Sequence, residues 1–461
     1  MENISQQFLS RLNACFDGNV FLVGGYVRDS IMGFESKDID VEIFGHDFDK
    51  ICDIVKTLPY VKETFECGKS FSVIKVKLID GSDIDISVPR REISTGTGHK
   101  DYKIVPDPSM SLYEASSRRD FTFNAIMKRV DGEIIDHHGG VSDIENKRLR
   151  AVGNSFLDDP LRVLRGMQFA GRFDMRIEND TAYLCAIISG QVLNMSKERI
   201  WGEWEKLLLK ANNPSLGIRY LQDTGAIVLF PQLAALEGLE QDPKYHPEGD
   251  VLTHTKMVLN KGVWVSVIHN YSDDDRIILM LSCLCHDMGK IATTTRNEDG
   301  RIVSPAHAQE GGPYILAFME LIGTPKKYHE PVLTLCRHHM DLCNVKPTKR
   351  FVRRLANKVN VHSSLDMLIS LIVCDHTGRG DGADQFPSFV FEFDNIAREL
   401  GVEKEVPKPI MQGRDLIALG LKPGPQFKTI LAEVYEQQLD GNIVHLDDAV
   451  QYVKETFEWE G

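Results

Sequence analysis

Two neighbouring glycines and two alternating aspartates carry the first chemistry legible in this chain. Gly24 and Gly25 close the apolar run Val20-Phe21-Leu22-Val23, which predicts a strand ending in a turn. Adjacent glycines let backbone N–H groups approach a phosphate with no Cβ in the way. Arg28, at a predicted helix start, adds a guanidinium fork. Ten residues on, Asp38 and Asp40 alternate with Ile39 and Val41. On a strand this alternation puts both carboxylates on one face, where divalent cations can bridge them to a nucleotide's phosphates. A surface hairpin accounts for either motif alone. Strand, glycine pair, helix, strand and DxD in that order is much rarer by chance.

The order GGxVRD … DxD resembles the polymerase-β-type nucleotidyltransferases, and among them the class II CCA-adding enzymes and their poly(A) polymerase relatives. Later motifs extend the resemblance. Residues 72–78 and 83–88 predict a hairpin turning at Asp80-Gly81, with Asp83 and Asp85 on one face. In the family the matching strand carries a third acid; Asp85 aligns best, leaving Asp83 as a surface residue. Ser117-Arg118-Arg119-Asp120-Phe121-Thr122-Phe123-Asn124-Ala125 resembles the family's second motif. Its arginines, Arg119 in particular, suit triphosphate or ribose oxygens, and Asp120 and Asn124, four apart, would share a helix face. Asp136-His137-His138-Gly139-Gly140 matches a DxxGG turn. In Asp158-Asp159-Pro160-Leu161-Arg162, Pro160 suits a first helical turn and an aspartate its cap. Asp159 and Arg162, three apart, make either a surface ion pair or a donor–acceptor edge facing a base. The family's EDxxR motif selects CTP and ATP there, so the resemblance implies Asp159 and Arg162 as base readers, with Arg165 one turn on. It also implies Mg²⁺ at Asp38 and Asp40, and Gly24, Gly25, Arg28, Arg119, Asp120 and Asn124 around the nucleotide.

A second constellation lies downstream: His254 … His286-Asp287-Met288-Gly289-Lys290 … His307 … His338-His339 … Asp375. It resembles an HD-type metal phosphohydrolase domain. Histidines and carboxylates from separate helices can hold a divalent transition metal that activates water. The resemblance implies His254, His286, Asp287 and Asp375 as ligands, with His307 an accessory and His338 or His339 an open choice. Gly289 reads as the helix stop that fixes the direction of His286-Asp287.

The elements that must position these groups follow from periodicity. Residues 4–16 and 48–58 carry helical apolar stripes, as does 197–208 behind Ser196, where the family would use Arg199 to brace the selecting helix. Residues 89–108 show no period and predict a mobile loop, at the position of the flexible loop of full CCA-adding enzymes. The expected fold class is α+β: a mixed-sheet nucleotidyltransferase head (1–140), an all-α neck and body (141–245), an HD domain (246–380) and a helical tail (381–461).

A chain of 461 residues with 42% hydrophobic content allows several packed domains. Net charge −14 argues against indiscriminate nucleic-acid coating but allows local RNA contacts. The most basic stretch, Lys326 to Lys358, fits a solvated helix face or RNA contact equally. Nine irregularly spaced cysteines predict reduced thiols in the cytoplasm. No run predicts a signal peptide or membrane span. The implied partners are CTP, ATP and the tRNA 3′ end; the rivals are a poly(A) polymerase, a partial-adding enzyme, or a non-catalytic RNA-end-binding protein.

Overall fold

A computed structural model of the chain describes residues 4–35, 38–66, 72–94, 102–343, 345–380 and 388–457. The fold is α+β, and the chain divides into two compact units: Met1–Gly166 with Phe173–Val192, and Met167–Arg172 with Leu193–Gly461.

The first unit opens with α1 (Ile4–Cys15), whose Phe8, Leu9 and Leu12 are buried. Then follow β1 (Val20–Leu22), α2 (Gly24–Met32), β2 (Asp38–Ile43), α3 (Phe48–Thr57), β3 (Val61–Glu66), β4 (Val73–Leu78) and β5 (Asp83–Ser87). After β6 (Arg90–Ser94) and β7 (Tyr102–Pro106) come α4 (Leu112–Ser117), β8 (Met127–Arg129) and β9 (Ile134–Ile135). One mixed sheet runs β3-β4-β5-β2-β1-β8-β9. Its core face takes Ile39, Val41 and Ile43 from β2 and Ile84 and Ile86 from β5. Strand alternation therefore turns Asp38, Asp40 and Asp85 the other way.

Beyond the sheet lie α5 (Gly140–Glu145), β10 (Arg148–Leu149), α6 (Leu161–Phe173), β11 (Arg176–Ile177) and α7 (Asn179–Ile188). Two local expectations change. The stretch 89–108 is not an irregular loop: β6 and β7 form an antiparallel ribbon, Arg90 opposite Pro106 and Ser94 opposite Tyr102. Among the described residues they pair with each other and with no strand of the main sheet. The loop's centre, residues 95–101, lies outside the described residues. Asp120 and Asn124 do not share an α-helix either, because α4 ends at Ser117 and residues 122–124 form a single 3₁₀ turn.

Among the described residues the second unit is helical apart from one short hairpin. Its helices are α8 (Lys197–Lys210), α9 (Pro214–Asp223), α10 (Pro231–Ala234), α11 (Val251–Ile268), α12 (Asp273–Cys285), α13 (Lys290–Thr293), α14 (His307–Glu310) and α15 (Gly312–Ile322). They continue through α16 (His329–His338), α17 (Lys349–Val359), α18 (Leu365–Thr377) and α19 (Ser388–Leu400). The last three, α20 (Gly413–Ala418), α21 (Gln426–Asp440) and α22 (Leu446–Thr456), close a small core of their own around Leu416, Ile430, Val434 and Val453. Among the described residues no helix is long and apolar enough to cross a membrane.

Candidate active sites

In the first unit, β2 and β5 run parallel in register, with Asp38 opposite Asp83 and Asp40 opposite Asp85. Three carboxylates, Asp38, Asp40 and Asp85, thus gather at one edge. Burial raises the Asp40 carboxyl above its ordinary range; Arg119 opposes this, and Asp85 and Asp38 reinforce it. A group of crowded oxygen donors fits a hard divalent cation, with Lys75 Nζ 3.0 Å from Asp85 Oδ2 offsetting part of the charge. Gly24 has φ +67°, and a Cβ there would meet Arg119 Nη1 and Asp40 Oδ2, both at 3.4 Å. The glycine therefore lets the turn sit against both the guanidinium and the carboxylate. Glu42, two residues beyond Asp40 on the same face, is buried with its Oε2 3.6 Å from Arg119 Nη2. The Asp-Ile-Asp-Val-Glu alternation of β2 signals this further acid.

Other predicted residues form a layer behind this edge. Arg28 is buried, its Nη1 donating to Asn124 Oδ1 at 2.8 Å and its guanidinium 4.7 Å from the Phe173 ring centroid. Asp120 is also buried. It accepts from Asn124 Nδ2 at 3.0 Å, from the Phe121 amide at 2.8 Å and from Arg165 Nε at 2.6 Å. The four residues form one charged network in which Asp120 joins the RRD motif to α6. Asp159 Oδ1 accepts from the Leu161 amide at 3.0 Å and so caps α6. Arg162 donates to the carbonyls of Ser155 and Arg118, the second at 2.8 Å. Gly25 precedes this layer, and a Cβ there would stand 3.4 Å from Arg28 Nη2.

In the second unit, five helical segments converge. The buried run Leu279–Cys285 of α12 delivers His286 and Asp287 just past its end. His254 comes from the first turns of α11, His307 opens α14, His339 follows α16 and Asp375 closes α18. All six side chains are buried. Asp287 Oδ2 lies 3.3 Å from His286 Nε2 and 3.8 Å from His254 Nε2, while its Oδ1 lies 3.4 Å from His307 Nε2. His307 and His339 bring their Nε2 atoms within 3.3 Å, and His254 Nε2 is 3.0 Å from Asp375.

Of the two open histidines, His339 is the one the structure brings into the cluster. His338, one residue earlier on α16, turns away and pairs with Asp341 at 2.7 Å. Without the core to fix the helix's rotation, the sequence does not separate the two. Burial pushes His339 down to about 3, helped by the charges of His286 and His307. Burial opposes ionisation of Asp287, but Lys290 and the neighbouring histidines hold its carboxyl well below the usual range. Lys290 Nζ sits 2.9 Å from Asp287 Oδ2, and Arg379 Nη2 3.2 Å from Asp375 Oδ1.

The donor set fits metal. His286, His307 and His339 each set Nδ1 against a backbone carbonyl three residues earlier: Cys283, Ser304 and Cys336. That pattern leaves Nε2 as the atom each ring turns into the cluster, and His286 Nε2 has no hydrogen-bond partner among the described residues. Gly289 has an unexpected role: its φ is −67°, so it is no left-handed helix stop. A Cβ on it would stand 1.9 Å from the His307 carbonyl oxygen. The glycine lets the α12 end and α14 come together.

Three family descriptions match successive stretches: "Poly A polymerase head domain" over residues 20–150, "Probable RNA and SrmB- binding site of polymerase A" over 174–236, and "HD domain" over 251–410. A multifunctional CCA protein of Xanthomonas campestris pv. campestris (strain B100) is 31% identical over 432 residues, covering 90% of this chain and 96% of that one. The chain belongs to the multifunctional CCA protein family. A family member from Acinetobacter baumannii (strain SDF) is also 31% identical, covering 89% and 97%. With that of Pasteurella multocida (strain Pm70), 35% identity extends over 59% of this chain and 63% of its counterpart.

Solved structures share the fold. A CCA-adding enzyme with CTP is 20% identical at TM-score 0.65, covering 99% of this chain and 95% of that one. The Thermotoga maritima CCA-adding enzyme complexed with tRNA is 19% identical at TM-score 0.61, covering 98% and 95%. As a family member, the chain is a nucleotidyltransferase that also carries an HD domain, and both kinds of domain are metal-dependent.

Proposed function

We propose that the head adds CMP and AMP, from CTP and ATP, to tRNA 3′ ends without a nucleic-acid template, completing CCA. The observation that carries this reading is the register pair Asp40–Asp85, beside Gly24 and Arg119. Asp38 and Asp40 would hold Mg²⁺, which when bound neutralises the triphosphate and acidifies the attacking hydroxyl. Asp85 shares the ion or takes the hydroxyl's proton. The amides of Gly24 and Gly25, with Arg119, meet the phosphates. Arg28, Asp120, Asn124 and Arg165 hold that surface from behind, while Asp159 and Arg162 choose the base. Relatives named for CCA favour the complete reaction. Sequencing the products made on tRNA lacking its 3′ end, with all four NTPs present, tests it. A run of A, or a stop after CC, points to a poly(A) polymerase or a partial-adding enzyme.

The HD centre is the second active site in this reading. His254, His286, Asp287 and Asp375, with His307 and His339, would hold divalent metal, Asp287 belonging to both ligand-spaced groups. Divalent ions bound there supply Lewis acidity for phosphoester hydrolysis. Lys290 and Arg379 add positive charge for a phosphate. The substrates proposed are 2′,3′-cyclic or terminal phosphates at damaged RNA ends. The inferred setting is cytoplasmic, in keeping with the free thiols of Cys283, Cys285, Cys336 and Cys374.

A further inference from the structure

Three of the histidines in the HD centre are oriented by the backbone; His254 is not. His286, His307 and His339 rest Nδ1 on carbonyls at 3.1, 2.9 and 2.6 Å. His254 instead has its Nδ1 2.8 Å from Oε1 of Glu248, an ion-pair contact in which the N–H points well off the line to the oxygen. Glu248 lies in the turn before α11, and its side chain is only 2% exposed. The same Oε1 accepts from His246 Nδ1 at 2.9 Å. A buried carboxylate is costly unless paired, and the side chains beside this one include two imidazoles, one of them facing Asp287 and Asp375.

We propose that Glu248 is a positioning residue of the HD centre: it keeps the His254 proton on Nδ1 and aims Nε2 at the ion position. His246 secures the carboxylate from its other side. A carboxylate behind a ligating imidazole fixes the ring's tautomer and rotation and raises its basicity, and loss of such a partner typically costs about 10- to 100-fold in metal affinity. The inference rests on the reading of the cluster as a metal centre.

The test is titration of the full chain with Mn²⁺ or Co²⁺ alone, against a chromophoric chelator. An Asp38→Ala/Asp40→Ala background silences the head carboxylates. Glu248→Gln retains a neutral acceptor and should weaken binding; Glu248→Ala should weaken it further, by about 10- to 100-fold. The metal-free melting temperature distinguishes positioning from a merely structural role, which would lower that temperature and leave affinity unmoved. If Glu248→Ala does not fold, Glu248→Gln decides alone. Glu248→Gln binding as tightly as the parent overturns the inference, provided Asp287→Ala abolishes binding. Should Asp287→Ala bind like the parent, the metal-centre reading itself fails, and the inference with it.

Discussion

Asp85 stands level with Asp40 because β5 pairs with β2 in parallel, residue for residue. An acid two residues away, Asp83, falls opposite Asp38 at the exposed end of the strand. Asp85→Asn should lower single-turnover CMP addition by about 100-fold or more, the scale of a lost acid–base or ion-holding carboxylate. Asp83→Asn should stay within about threefold of the parent on the same scale. Equal losses in the two variants would mean that register does not select the third acid.

The Asp120 network makes a pH prediction. Burial would raise the Asp120 carboxyl, but the Arg165 charge and the hydrogen bonds from Asn124, Arg165 and the Phe121 amide outweigh it, leaving it lower than usual. A depressed carboxyl contributes stability that is complete above its unfolded value, about 3.9, and is lost as pH falls through the lower folded value. Asp120→Asn should cost about 2–3 kcal/mol at pH 7. The gap to the parent should hold down to about pH 5 and close below about pH 4. Denaturant melts at several pH values read it directly; a gap that widens on acidification contradicts it.

Gly289→Ala tests the close approach in the HD centre. The added methyl would meet the His307 carbonyl at 1.9 Å and the Gly311 amide nitrogen at 2.8 Å. Backbone atoms cannot swing aside as a flexible side chain can. The variant should lose about 2–3 kcal/mol of stability and most of its hydrolysis of a cyclic phosphate. A parent-like melt with full hydrolysis would show that the two segments have slack.

His286→Ala combined with Asp287→Ala should abolish metal-dependent phosphohydrolysis and spare CMP and AMP addition, because the carboxylates of addition are Asp38, Asp40 and Asp85. Both activities are measured in parallel on one preparation that still melts cooperatively. Loss of both would defeat the two-site account.

The sequence made the head legible wherever chemistry coincided with a period. Asp38 and Asp40 alternate with apolar residues, and the same alternation exposes Asp85. It also marks Glu42, had the pattern been followed one step further. Arg28 shows the limit of such reading: its type and place promise a phosphate contact, yet tertiary packing sets it under Phe173 and against Asn124. His339 needed the rotation of α16, and Glu248 sits in a turn with no period to announce it. Gly289 is visible as a glycine, but its reason, the carbonyl of His307 further along the chain, exists only in three dimensions.

The central claim is that Asp38, Asp40 and Asp85 form the catalytic edge of a CCA-adding head. Its most direct test is incorporation of labelled CMP, then AMP, into tRNA lacking its 3′ end, comparing the parent with Asp40→Ala. The parent should add two CMP and one AMP and stop. Asp40→Ala should add neither, while binding the tRNA with similar affinity. Addition by Asp40→Ala at the parent's rate, or a parent that incorporates no CMP, would contradict the account.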